Sequence, residues 1–181
     1  MFASVMESSS YVPFHRLKPR VHLSRAIGFF QLGMFEQARG ELSYLPEELP
    51  WSENRRALIL EILQKEQDWP GMLECAHGLR MEFPENPQWW VADAYATRRA
   101  DSIEKARSIL LDGLILHYDS AIIRYNLACY ACKLGSLGEC LDFLKEAVKR
   151  DQSLKEVAME DEDLLLVRAA LVKLGWGSVQ V

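Results

Sequence analysis

The chain has 181 residues, of which 49% are hydrophobic and 26% are charged, and its formal net charge is −5 at pH 7. This length is sufficient for one domain with a sizeable core, and this share of apolar residues excludes an intrinsically disordered chain. The mildly acidic balance argues against a protein that binds nucleic-acid duplexes, since such proteins present a basic face.

The first 18 residues are polar and irregular, with three serines from Ser8 to Ser10 and a proline at position 13. We therefore expect residues 1–18 to be poorly ordered. They contain no continuous apolar stretch of the kind that a secretory signal requires, and no stretch of the chain approaches the roughly 18 apolar residues of a transmembrane helix. These features predict a cytoplasmic protein that does not enter a membrane.

From Pro19 onward, apolar residues recur at helical spacing in units of about 34 residues, which is a repeat length of helix-turn-helix arrays. The units are 19–52, 53–86, 87–120 and 121–154. Their eighth and twentieth positions are mostly small, as expected where the two helices of a pair cross closely. These positions hold Ala26, Leu60, Ala94 and Ala128, and Ala38, Met72, Ala106 and Cys140. In the fourth unit, Leu134-Gly135 is predicted to end the first helix.

The remaining residues, 155–181, have a different pattern. An acidic run from Glu160 to Asp163 is followed by a mostly apolar stretch that ends near Lys173 and Gly175. Acidic residues favour the N-terminal end of a helix, whereas a lysine and a glycine suit its C-terminal end. We expect a closing helix from about Asp161 to Leu174 that covers the apolar face of the last unit.

The spacing resembles the tetratricopeptide repeat family. The match is strongest in the fourth unit, at Tyr125, Asn126, Leu127, Ala128, Leu134, Gly135, Cys140, Phe143, Leu144 and Ala147. The first unit matches at Ala26, Phe29, Leu32, Gly33, Phe35, Ala38 and Pro50, and the third at Trp90, Ala94, Ile103, Ala106 and Leu110. The second unit is weakest, with Pro84 as its clearest position. The closing segment resembles the tail that ends many bacterial arrays of this family.

The resemblance implies an all-α fold, a right-handed α-solenoid of about four helix-turn-helix units with a C-terminal capping helix. Four residues depart from the family pattern. Arg25 and Asp93 stand where a leucine is usual, and Pro46 is expected to shorten the second helix of the first unit. Gly113 lies late in a predicted helix, where glycine costs about 1 kcal/mol relative to alanine.

In such a solenoid the first helix of each unit lines a concave groove, where a partner segment binds. Tyrosine and arginine are frequent anchors of interfaces, and three cationic residues mark one end of this groove. The predicted groove residues are Phe30, Glu61, Gln64, Gln88, Val91, Tyr95, Arg98, Arg99, Tyr125, Cys129 and Lys133. The alternative is that several of them pack between helices. Leu23 and Ile27 stand where carboxylate-clamping members have a lysine and an asparagine, so the clamp is not expected.

Cys129, Cys132 and Cys140 are close in sequence, which is compatible with packing, a regulatory thiol or a metal site. The packing interpretation is favoured, because a second pair of metal ligands is missing from the sequence and the thiols lie in mid-helix. The four histidines are scattered, and we find no phosphate-binding loop or nucleophile motif. We therefore expect no enzymatic activity, no metal and no cofactor.

The favoured function is a protein–protein interaction scaffold that binds a protein or peptide segment in the concave groove. The alternatives are a secretion-type chaperone, a structural protein that self-associates, for example as a homodimer, and an enzyme or thiol-based sensor.

Overall fold

The computed structural model describes residues 17–177, and these are helical without any β-strand. The expectation for residues 1–18 therefore lies almost wholly outside the described residues. The helices are α1 Pro19–Gln31, α2 Phe35–Leu42, α3 Trp51–Glu66, α4 Trp69–Glu82, α5 Pro87–Ala100, α6 Ile103–Leu116, α7 Ala121–Lys133, α8 Leu137–Arg150, α9 Leu154–Glu160 and α10 Arg168–Lys173, with a 3-10 helix at Glu162–Val167. The all-α prediction is confirmed.

Local sequence signals explain where many of these helices begin and end. The side chains of Asp68, Ser102 and Ser120 each accept a hydrogen bond from the backbone N–H three residues later, which satisfies a free donor of the first turn. Gly135 follows α7 with a φ of +81°, a left-handed conformation that glycine adopts without steric cost. Leu134-Gly135 therefore ends α7, as predicted.

The chain divides into two compact units, with the boundary between Leu58 and Ile59 inside α3. In the N-terminal unit, α1 packs against α2, and Ala26 of α1 and Ala38 of α2 are fully buried. Glu41 accepts from both His22 at 2.7 Å and Arg25 at 2.9 Å. Arg25, one of the departures from the family pattern, thus forms an ion pair that links the two helices.

In the C-terminal unit, adjacent helices from α4 to α8 pack in sequence, and α5 also contacts α7. One buried cluster contains Leu60, Met72, Ala76, Leu79, Phe83 and Ala96. A larger cluster extends from Trp90 and Ala94 through most of α7 to Leu164, Val167 and Leu171. Within the described residues, every helix is too short or too polar to cross a membrane.

The closing segment, residues 154–173, differs in part from the predicted helix at about Asp161 to Leu174. That stretch folds as the 3-10 helix followed by α10, and a further helix, α9, precedes it. The break between α9 and the 3-10 helix falls at Asp161, whose backbone is extended and whose Oδ1 accepts from the backbone N–H of Asp163 at 2.8 Å. A side chain that binds a nearby backbone N–H competes with helical hydrogen bonding. The segment nevertheless covers the core, since Leu164 and Leu171 are fully buried.

Gly113 has a packing role that the sequence did not show. A Cβ atom at this position would lie 2.9 Å from the Trp90 ring, which is closer than Cβ contacts in proteins allow. The indole is held in place, because its Nε1 donates to the carbonyl oxygen of Pro84 at 2.8 Å. The glycine therefore permits α6 to approach the Trp90 side chain of α5.

We expect Gly113→Ala to reduce the free energy of unfolding by about 1–3 kcal/mol, because overpacking against Trp90 outweighs alanine's helix propensity. Urea denaturation followed by circular dichroism measures this change. Gly138→Ala is the matched control, since its Cβ would meet no atom within 4 Å. Equal stability of the two variants would contradict this account of the contact.

Candidate functional site

A pocket of about 220 Å³ lies within the C-terminal unit and is lined mainly by side chains of α3 and α5, with one residue each from α4 and α7. It combines apolar and aromatic groups with three side-chain amides. Its lining residues are Leu60, Glu61, Gln64, Met72, Gln88, Trp89, Val91, Ala92, Tyr95 and Asn126. We call it the α3–α5–α7 pocket.

Five of the predicted groove residues meet in this pocket, and they come from two helices that are separate in sequence. Glu61 and Gln64 lie one turn apart on α3, and Gln88, Val91 and Tyr95 lie along one side of α5. This clustering follows from helical geometry, because residues three or four apart share a face.

The sequence reasoning did not place Trp89 or Asn126 among the groove residues. Trp89 lines the pocket beside Gln88. On α7 the predicted position was Tyr125, whereas its neighbour Asn126 faces the pocket and Tyr125 is 5% exposed. The residue of α7 that faces the pocket is therefore Asn126, one position after the predicted Tyr125. Helical periodicity alone could not reveal this difference of one residue.

Four other predicted groove residues contact the acidic turn, which we define as residues 161–163 of the closing segment. The Tyr125 hydroxyl donates to Asp161 at 2.8 Å, and the Cys129 thiol donates to the same oxygen at 3.5 Å. Arg98 donates to both carboxylate oxygens of Asp163, one of them at 3.0 Å, and Lys133 Nζ lies 3.7 Å from Asp163. Through these hydrogen bonds and ion pairs, the closing segment is attached to α5 and α7.

The charges in this contact stabilise each other. The Arg98 hydrogen bond lowers the pKa of the Asp163 carboxyl below its ordinary value, and Asp163 in turn raises the pKa of Arg98. Burial raises the pKa of the Tyr125 hydroxyl, which keeps the phenol protonated and able to donate to Asp161. Bidentate pairing of a guanidinium with a carboxylate is among the stronger polar contacts in proteins.

The two remaining predicted residues lie elsewhere. The Arg99 guanidinium carbon is 4.3 Å from the centroid of the Trp69 ring, a cation–π contact between α5 and α4. Phe30 belongs to the N-terminal unit, where its ring centroid is 6.0 Å from that of Phe35.

The cysteines are free thiols, and Cys129, Cys132 and Cys140 are buried. Burial raises the pKa of Cys140 to about 12 and raises that of Cys129 as well, so both are held as thiols rather than reactive thiolates. Across residues 17–177, no group of three or more histidine, cysteine or acidic side chains is arranged to hold a metal ion.

Two comparisons with known proteins add no relative. No protein-family model matches the chain, and no curated protein matches it.

We expect Asp163→Asn to reduce the free energy of unfolding at pH 7 by about 1–3 kcal/mol, because it removes the carboxylate that Arg98 and Lys133 share. The folded-state pKa of Asp163 is lowered, so the contribution of its charge is present above the unfolded pKa near 4 and is lost as the pH falls through the folded value. The difference between wild type and variant should therefore shrink below about pH 4.

Chemical denaturation at a series of pH values measures this difference. Asp112→Asn is the control, since Asp112 is exposed on α6 and lies outside the closing contact. A stability difference for Asp163→Asn that stays constant from pH 7 to pH 2.5 would contradict the assigned role of its charge.

Proposed function

We propose that this protein is a protein–protein interaction scaffold that binds a peptide or protein segment in the α3–α5–α7 pocket. The observation that carries the proposal is the combination, in one pocket, of apolar walls with amide side chains from three helices. An apolar side chain of the partner enters the pocket, while the amides hydrogen-bond to the polar backbone of the same segment.

The volume of the pocket is better suited to a single side chain of a protein partner than to a small-molecule ligand. Pockets for drug-sized ligands commonly have volumes of about 300–1,000 Å³. The α3–α5–α7 pocket is smaller, at about 220 Å³. Trp89 and Tyr95 add aromatic surface, which frequently anchors protein interfaces because it buries a large area at low entropic cost.

We also propose that the architecture is a right-handed α-solenoid of four tetratricopeptide-like units with a terminal cap, and that the protein acts in the cytoplasm. The burial of all eight residues at the predicted eighth and twentieth positions supports this architecture. Further support comes from the sequential packing of the helices and from the buried residues of the closing segment.

The role of the acidic turn determines which variants can test the proposal. Arg98 and Tyr125 hold the closing segment, so their substitution disturbs the fold as well as any bound partner. Gln88 is a better position, because its side chain is exposed and lines the pocket.

We expect a photoreactive benzoylphenylalanine at position 88 to form a covalent adduct with a partner in native cells, because this residue lies at the pocket. The same probe at Glu74, an exposed residue of α4 outside the pocket lining, is the control. Mass spectrometry identifies the adducts and the crosslinked segment. Equal adducts from both positions, or none from position 88, would contradict binding in the pocket.

Self-association is a second candidate function, and exposed apolar residues favour it. Ile115 and Tyr118 are 81% and 76% exposed near the C-terminal end of α6. Apolar residues clustered on a surface frequently mark an interaction site.

If this surface joins two copies, we expect Ile115→Lys with Tyr118→Lys to convert a dimer into a monomer in sedimentation velocity. A wild-type monomer at all concentrations up to about 100 µM would exclude this function.

A further inference from the structure

The cationic residues predicted at one end of the groove are already engaged within the chain. Arg98 and Lys133 pair with Asp163, and Arg99 packs on the Trp69 ring. The closing segment that supplies Asp163 is anchored by Leu164, which is fully buried. An acidic partner would therefore have to displace a packed part of the fold in order to pair with Arg98, whose side chain is 20% exposed.

The charge that remains in the pocket is negative. Of the described residues that line the pocket, Glu61 is the one with a charged side chain. Its carboxylate is exposed and forms no ion pair with any residue in the range 17–177. Lys65 lies one helical turn away on α3, but the two side chains do not form a salt bridge.

The polar groups around Glu61 add hydrogen-bond acceptors. Asn126 donates its Nδ2 to the backbone carbonyl of Ile122 at 2.9 Å, which leaves its Oδ1 as an acceptor. Gln64 and Gln88 also line the pocket, and each amide can accept through its oxygen as well as donate through its nitrogen. A carboxylate beside amides that can accept is complementary to an ammonium or guanidinium group, since these groups donate and do not accept.

We propose that the partner segment carries a lysine or arginine that pairs with Glu61, next to an apolar side chain that enters the α3–α5–α7 pocket. This inference rests on the proposed function and specifies its partner as a basic, apolar segment of another protein. The apolar side chain contacts Val91, Trp89 and Tyr95, while the basic group remains at the exposed rim beside Glu61.

Two sets of fluorescein-labelled nonapeptides test the proposal with the full chain. Both sets vary the central residue among leucine, isoleucine, methionine, phenylalanine and tryptophan. The flanking residues are lysines in one set and glutamates in the other. In fluorescence anisotropy at low salt we expect the wild type to prefer the lysine set, and we expect higher ionic strength to weaken that binding.

Substitutions of Glu61 then test whether its carboxylate causes the preference for the lysine set. We expect Glu61→Gln to weaken binding of the lysine set about fivefold, which is at the upper end for a partly exposed ion pair. Glu61→Lys should reverse the preference, so that the glutamate set binds better. Glu74→Gln and Glu74→Lys are the matched controls and should leave the preference unchanged. Thermal melts by circular dichroism verify that each variant is folded.

The outcomes distinguish between two claims, that the partner is basic and that it binds in the α3–α5–α7 pocket. Equal binding of both peptide sets, or a lysine preference that survives Glu61→Lys, overturns the assignment of a basic partner, whereas adducts from the probe at position 88 would still support the pocket. If neither set binds and position 88 yields no adduct, the pocket itself is not the binding site.

Discussion

Asp163 lies between Arg98 of α5 and Lys133 at the end of α7, and this ion pair closes the C-terminal end of the fold. The last helices of a stacked array expose an apolar face that must be covered. Here Leu164, Val167 and Leu171 cover it, and the acidic turn holds them in register against α5 and α7. The break in the closing segment at Asp161 has the same origin, because this side chain binds both Tyr125 and the backbone of Asp163.

The closing contact also engages cationic residues that the sequence predicted in the groove. Asp163 pairs with Arg98 and Lys133, whereas the α3–α5–α7 pocket is lined by Glu61 and neutral amides and by none of these cations. The charge of individual side chains was known from the sequence, but their pairing was not.

Close packing in the C-terminal unit depends on small residues at specific positions. Ala94, Ala106 and Ala128 are fully buried, as the recurrence of small residues predicted. Gly113 has the same function against Trp90, although it lies outside that recurrence and was interpreted as a helix-weakening residue. Asp93, the other departure in this unit, is fully buried and binds Arg80 and His77 of α4, so it links α4 to α5 by a polar contact where a leucine is usual.

The sequence by itself determined the helical class, the end of α7 and which small residues are buried, because these depend on local periodicity and glycine conformations. It also determined that Glu61 and Gln64 share one face, as do Gln88, Val91 and Tyr95, since helical geometry relates nearby residues. Only the tertiary structure decided the rest. Arg98 meets Asp163 across 65 residues, and Asn126 rather than Tyr125 faces the pocket. Neither contact has a sequence signature, because each depends on how separate helices rotate and pack against one another.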